Sequence, residues 1–154
     1  SNRTIRMNYR KVRKEDVENL SELFDKYRVF YRKDTDIESA RRFLTERIAN
    51  DESKIFIAEH TDKRLAGFVQ LYPLFSSTRM EKLWLLNDLF VDPECRGKGV
   101  SIGLIQKAKE LVEISNACGM FLETEKSNLI GNNLYPKTGF KLNKGSNFYE
   151  WSIK

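Results

Sequence analysis

Hydrophobic positions change period along this chain, and each change marks an element. Residues 4–12 alternate loosely through Ile5, Met7 and Tyr9, the period of a strand. Val17, Leu20, Leu23, Phe24 and Tyr27 recur at helical spacing, which predicts an amphipathic helix over 15–28. Thr35 followed by Glu38 has the form of a capping box and opens a second helix, with Ala40, Phe43, Leu44 and Ile48 inward. Residues 54–60 and 65–74 read as strands joined by the polar turn Thr61-Asp62-Lys63-Arg64, and 80–91 is the next strand of this antiparallel meander. Within it, 85–91 is almost wholly apolar, the composition of a strand covered on both faces.

Leu104, Ile105, Ala108, Leu111 and Val112 then make one face of a long helix whose other face is charged, with Gly119 as its predicted stop. A short strand over 120–124 is forced by that connecting helix to run parallel to the strand before it. Two last strands are predicted at 140–142 and 147–153. This order predicts an α/β (α+β) domain with a mixed, largely antiparallel sheet and helices on both faces. A chain of 154 residues makes one domain, 1–154, long enough to bury a sizeable core.

The joint between the apolar strand and the long helix carries the chemistry. Asp92-Pro93 stops the strand, because proline lacks the N–H that a ladder needs. Arg96-Gly97-Lys98-Gly99-Val100-Ser101 then leads into a helix whose first N–H groups have no internal partner. Free amides, the positive end of the helix dipole and two cations make an anion site, and the glycines let a phosphate approach the backbone. The spacing of Gly97, Gly99 and Gly103 is one residue too long for the dinucleotide fingerprint, and the nucleotide-hydrolase phosphate loop is absent.

What remains resembles the acetyl-CoA loop of the GCN5-related N-acetyltransferase (GNAT) superfamily, Arg/Gln-x-x-Gly-x-Gly/Ala, matched at Arg96 and Gly99 with Ser101 where the family has Gly or Ala. Further on, Asn128-Leu129-Ile130-Gly131-Asn132-Asn133-Leu134-Tyr135-Pro136-Lys137-Thr138-Gly139-Phe140 resembles the family's Asn-x-x-Ala-x-x-Leu-Tyr-x-x-x-Gly-Phe segment. Gly131 replaces the usual Ala there. Pro136 falls late in a short helix and predicts that it ends or bends near Tyr135. The two motifs keep the family's order and spacing, and with the element order the resemblance covers nearly the whole chain.

The resemblance implies a sheet of six to seven strands whose central strands splay, admitting the pantetheine arm of acetyl-CoA. It places the cofactor on Leu89, Phe90, Val91, Arg96, Gly97, Lys98, Gly99, Val100, Ser101, Asn128 and Tyr135. It places the connection holding Phe30 and Tyr31 beside the acceptor amine; the alternative is that these rings anchor two helices. Acyl transfer needs a donor for the developing oxyanion, here a backbone N–H near Leu89 or Phe90, and Tyr135 stands where the family's acid protonates the departing thiolate.

Asp88 lies in an otherwise apolar strand, where an unpaired carboxylate is costly, so it is either paired structurally or functional. Asn87-Asp88-Leu89-Phe90-Val91 resembles the polyamine and histone-type branch, although Asn87 breaks that branch's acidic pair. Asp88, as a base through water or an ammonium-binding anion, and Glu123 are the candidate catalytic carboxylates beside Tyr135. Relatives that use water chains need no dedicated base. The implied reaction is direct acetyl transfer to a primary amine of a small molecule, a polyamine or other amino compound. A protein N-terminus or lysine is the alternative acceptor, and a non-catalytic acyl-CoA-binding module is the alternative function. Cys95 as an acyl carrier is a rival mechanism, at the phosphate end and remote from the thioester.

Composition removes other classes. No apolar run approaches the ~18 residues of a membrane span, and no signal-peptide pattern is present. Ser1-Asn2 reads as a cloning remnant. Cys95 and Cys118 have no metal spacing and form no framework, which predicts free thiols in the cytoplasm and no metal. The net charge of +5 is spread among acidic residues, which fits a phosphate-bearing cofactor better than nucleic acid. His60, the only histidine, reads as a solvated strand-end residue rather than a catalytic one. The resemblance adds a homodimer as the expected assembly.

Overall fold

The computed structural model describes residues 6–154, so the expectations for Ser1-Asn2 and for Thr4 and Ile5 lie outside the described residues. Its elements are β1 (Met7–Lys11), α1 (Val17–Phe30), α2 (Ile37–Ala49), β2 (Lys54–His60), β3 (Leu65–Ser76), β4 (Glu81–Val91), α3 (Val100–Ile114), β5 (Met120–Phe121) and α4 (Leu129–Lys137). They fall into two compact units, the first ending at Leu122 and the second comprising Glu123–Lys154.

In the first unit the sheet has the order β1-β2-β3-β4-β5. The first four strands pair antiparallel, and β5 joins β4 in parallel because α3 carries the chain back across the sheet. The register Ile57↔Phe68 and Phe68↔Phe90 puts these residues on one face, which packs with Leu20, Leu23 and Phe24 of α1 and Leu44 of α2. The other face, with Val69, Leu71 and Trp84 buried, takes Val100, Leu104, Ile105 and Ala108 of α3. Each buried Val, Leu, Ile or Phe among them contributes about 1.5–3 kcal/mol of transfer free energy. Two glycines set the spacing on that side. A Cβ on Gly67 would lie 2.7 Å from the carbonyl oxygen of Phe90, and one on Gly103 would lie 2.2 Å from the Tyr9 ring.

β4 is interrupted where the chemistry is expected. Its register with β3 jumps from Gln70↔Asp88 to Leu71↔Leu86, so Asn87 is an extra, bulged residue. Pairing with β5 covers only Trp84↔Met120 and Leu85↔Phe121. The outer edge of β4 beyond the bulge therefore has no β5 ladder.

Several boundaries depart from the sequence reading. Among the described residues the sheet has five strands rather than six to seven. The segments 140–142 and 147–153 form no strand: Asn143 closes a local turn by accepting from the Gly145 amide at 2.9 Å, but no ladder follows. Alternation proposes a strand, but a partner edge makes one. β5 also stops at Phe121 instead of 124. α1 continues through Phe30, so Val29 and Phe30 are helical rather than part of the connection. The cap of α2 is Asp36, whose carboxylate accepts from the Ser39 amide, while the Thr35 hydroxyl instead donates to buried Asp25 at 2.5 Å. α3 ends at Ile114, with Asn116 at φ 56° taking the left-handed position expected of Gly119.

Candidate active site

The buried carboxylate on β4 is the centre of a closed hydrogen-bond network. Asp88 is 6% exposed. Its Oδ1 accepts from the Tyr27 hydroxyl at 2.8 Å and from Asn87 Nδ2 at 3.1 Å. Its Oδ2 accepts from Gln70 Nε2 at 2.8 Å, and Gln70 Oε1 in turn accepts from the Ser53 hydroxyl at 2.8 Å. The bulge at Asn87 aims Asp88 at the α1 side, where Tyr27 meets it. An unpaired carboxylate at this depth would cost several kcal/mol, and the donors from three elements remove that cost. Tyr72, half-buried two residues beyond Gln70 on the same face, feels the Asp88 charge. Burial first, and that charge second, push its phenol up to about 12, so it remains a proton donor at neutral pH.

Aromatic rings adjoin the carboxylate. Tyr27 packs edge-on against Tyr31 at 5.2 Å and Phe68 at 5.6 Å, and Phe30 lies 6.1 Å from Phe90. Phe30 is 49% exposed, so this wall opens to solvent at one end. Phe30 and Tyr31, expected at the acceptor side, thus stand in one aromatic cluster with the residue that binds Asp88. These contacts anchor the end of α1.

The loop after β4 has the form an anion cradle requires. Asp92 caps a 3-10 turn over Pro93–Cys95, accepting from the Glu94 amide. Against burial, which pushes it up, the Glu94 amide and the Lys26 ammonium at 3.1 Å hold the Asp92 carboxyl below its ordinary value. Gly97 and Gly99 adopt φ of 78° and 77°, a region unfavourable for side chains, and a Cβ at either would meet nothing within 4 Å. Gly99 is the N-cap of α3, so Val100 and Ser101 supply its first amides. A side chain at either glycine would be strained by its φ and not by contact with other protein atoms. Lys98 and Arg96 are exposed in this loop.

Main-chain direction follows from two bonds. The Asp92 amide donates to the Ala66 carbonyl of β3 at 2.8 Å, and Arg96 Nε donates to the Val91 carbonyl at 3.4 Å. By the period of two, Asp88 and Phe90 turn their main-chain groups to β3, and Leu89 and Val91 turn theirs to the open edge.

His60 is not merely a solvated strand end: its Nε2 lies 3.4 Å from Cys95 Sγ. Burial pushes the Cys95 thiol up, away from the thiolate that acyl-carrier chemistry needs. Among the described residues no three His, Cys, Asp or Glu side chains cluster to hold a metal ion, and no helix is long and apolar enough to cross a membrane.

The second unit holds Glu123, Asn128 and Tyr135. Asn128 caps α4, accepting from the Gly131 amide at 3.1 Å and donating to the Thr124 hydroxyl at 2.8 Å. A Cβ on Gly131 would lie 2.5 Å from Asn128 Nδ2, so an alanine here would require the Asn128 side chain to shift. The helix runs through Pro136 to Lys137, two residues beyond the expected end, because the proline sits in the last turn. Tyr135 meets Phe140 edge-on at 5.6 Å. Glu123 is exposed.

Tyr27, Gln70 and Tyr72 carry no mark in the sequence that sets them beside Asp88. Tyr27 was one position of an apolar helix face and Gln70 one of a strand. The available signal was a buried acid in β4, which obliges neighbouring elements to supply donors.

The profile of the Acetyltransferase (GNAT) family matches residues 18–140. The chain is 40% identical over 139 residues to the uncharacterized N-acetyltransferase YhfO of Bacillus subtilis, covering 90% of this chain and 93% of that protein. It is 31% identical over 138 residues to a probable acetyltransferase of Haemophilus influenzae, covering 90% and 92%. A crystal structure of a probable acetyltransferase superposes with TM-score 0.89 at 34% identity, covering 97% of this chain and 99% of that one. Family match, relatives and fold agree with the geometry of β4 and its loop: the chain belongs to the acetyltransferase (GNAT) family and is an N-acetyltransferase of that family.

Proposed function

We propose that this chain transfers the acetyl group of acetyl-CoA directly to a primary amine of a small cationic molecule, a polyamine or related amino compound, within a ternary complex. The observation that carries this reading is the run from buried Asp88, along an unladdered strand edge, into the Gly97–Gly99 loop. Because the family match crosses Leu122, we take both units as one working domain.

In this reading the amides and cations of Arg96, Gly97, Lys98, Gly99, Val100 and Ser101 grip the pyrophosphate. The open edge at Leu89, Phe90 and Val91 lies along the pantetheine arm, and Asn128 completes the cofactor site. Acetyl-CoA supplies an activated acetyl group as a thioester. The amine lone pair forms the C–N bond, the C–S bond breaks and the thiolate takes a proton, while the acylated nitrogen gives up its remaining surplus proton through water, which restores the phenol that protonated the thiolate. Alternation favours the Leu89 N–H over that of Phe90 as oxyanion donor, since it faces the open edge. Tyr135 gives the proton to the thiolate, whose thiol has an ordinary pKa of about 8.5.

Asp88, already accepting from Tyr27, Asn87 and Gln70, acts as a fixed anion for the incoming ammonium and takes its proton through water. Glu123 is the alternative base. Phe30 and Tyr31 line the acceptor side. Two free thiols fit a cytoplasmic setting, and a homodimer is the proposed assembly.

The test is thiol release from acetyl-CoA with a panel of polyamines, amino sugars and lysine or N-terminal peptides. Turnover on small cationic amines supports the proposal. Turnover on peptides alone replaces the substrate class, and coenzyme A binding without turnover on any amine makes the chain a binding module.

A further inference from the structure

The first cation of the cradle already has another partner. The Arg96 guanidinium lies 5.2 Å from the centroid of Phe30 and 5.9 Å from that of Phe90, while its Nε bonds the Val91 carbonyl. The two rings are tilted by 55°, and the exposed Phe30 edge gives access from solvent. A pair of aromatic faces that holds one cation by its ring quadrupoles can hold another of similar size. Asp88, bonded through Tyr27 to the same aromatic cluster, adds negative potential behind it.

Arg96 has two claims on it. The Val91 carbonyl faces the edge assigned to the pantetheine arm, so an arm bound there competes with Arg96 Nε. Cofactor phosphates attract the same guanidinium toward the loop. Both effects draw Arg96 off the rings.

We propose that the Phe30–Phe90 pair is the seat for the acceptor's ammonium or alkylammonium group, occupied by Arg96 until acetyl-CoA draws that side chain away. The inference rests on the assignment of the cofactor loop and deepens it. The seat selects cationic acceptors, and it becomes available only in the cofactor-loaded enzyme.

The experiment is NMR of the full chain with labelled arginine and phenylalanine side chains, titrated with coenzyme A and then with spermidine as the probe. Coenzyme A is expected to remove the ring-current shift of Arg96. Spermidine is then expected to perturb the Phe30 and Phe90 ring signals with at least tenfold higher affinity than without coenzyme A. In Arg96→Ala, spermidine without coenzyme A is expected to bind within about twofold of the loaded wild type. In Phe30→Leu, spermidine binding weakens at unchanged coenzyme A affinity. An Arg96 signal that stays in place at saturating coenzyme A overturns the proposal. So do rings that ignore spermidine, or a spermidine affinity independent of coenzyme A. If coenzyme A itself fails to bind, the cofactor reading falls, and the seat falls with it.

Discussion

The Tyr27 hydroxyl, from the last turns of α1, donates to Asp88 Oδ1 in the bulged part of β4 at 2.8 Å. This bond ties the helix that ends in Phe30 to the strand that leads into the cradle. Tyr27→Phe leaves the ring packing and removes one donor from a buried carboxylate. We expect a stability loss of about 1–3 kcal/mol in urea unfolding. Turnover should fall by about tenfold, with coenzyme A affinity within about twofold of wild type. Asp88→Asn should alter the amine dependence and the pH profile. An unchanged profile would make Asp88 a structural group only.

Tyr135→Phe tests the proposed proton donor. Deleting the hydroxyl should lower kcat by about 10²-fold, the range of general acid catalysis, and leave coenzyme A affinity nearly as it was. Steady-state kinetics alongside calorimetry separates the two. A loss confined to affinity would make Tyr135 a cofactor contact instead.

Gly103→Ala tests the seam between α3 and the sheet. The added methyl would lie 2.2 Å from the Tyr9 ring, inside any tolerable contact. Overpacking of this kind costs about 1–3 kcal/mol, read as a lower urea midpoint at unchanged slope.

The pH dependence of stability has a definite sign. Arg10 donates to Asp16 and to Glu59 at 2.8 Å, and these hydrogen bonds hold both carboxyls below their ordinary values. A depressed carboxyl contributes stability that is complete above its unfolded pKa, about 4, and is lost as pH falls through the lower folded value. Wild type should therefore lose stability below about pH 4. Arg10→Met should be less stable by about 3 kcal/mol at pH 7 and lose less on acidification, measured by urea unfolding across pH 3 to 7.

The meander of β2 to β4 was legible because its alternation and turns agree with its tertiary pairing. The anion loop was legible because Gly97 and Gly99 are needed for local backbone reasons. The end of the chain was not. Tyr149, Trp151 and Ile153 alternate with Glu150, Ser152 and Lys154 as a strand would, yet a ladder depends on a partner that alternation cannot name. Asp88 was legible as an anomaly in an apolar run. Its partners were not, since Tyr27 and Gln70 lie 61 and 18 residues away and only the fold brings them together. His60 beside Cys95 is a second long-range pairing that spacing could not supply.

Main-chain amides opened by Gly97 and Gly99 are the proposed grip on the cofactor's pyrophosphate. Calorimetric titration of coenzyme A into wild type and Gly99→Glu tests it most directly. The variant places a side chain at φ 77° and a carboxylate where phosphate would lie. Wild type is expected to bind saturably one to one, and the variant to lose at least about tenfold, some 1.4 kcal/mol. Equal affinities in the two proteins would contradict it.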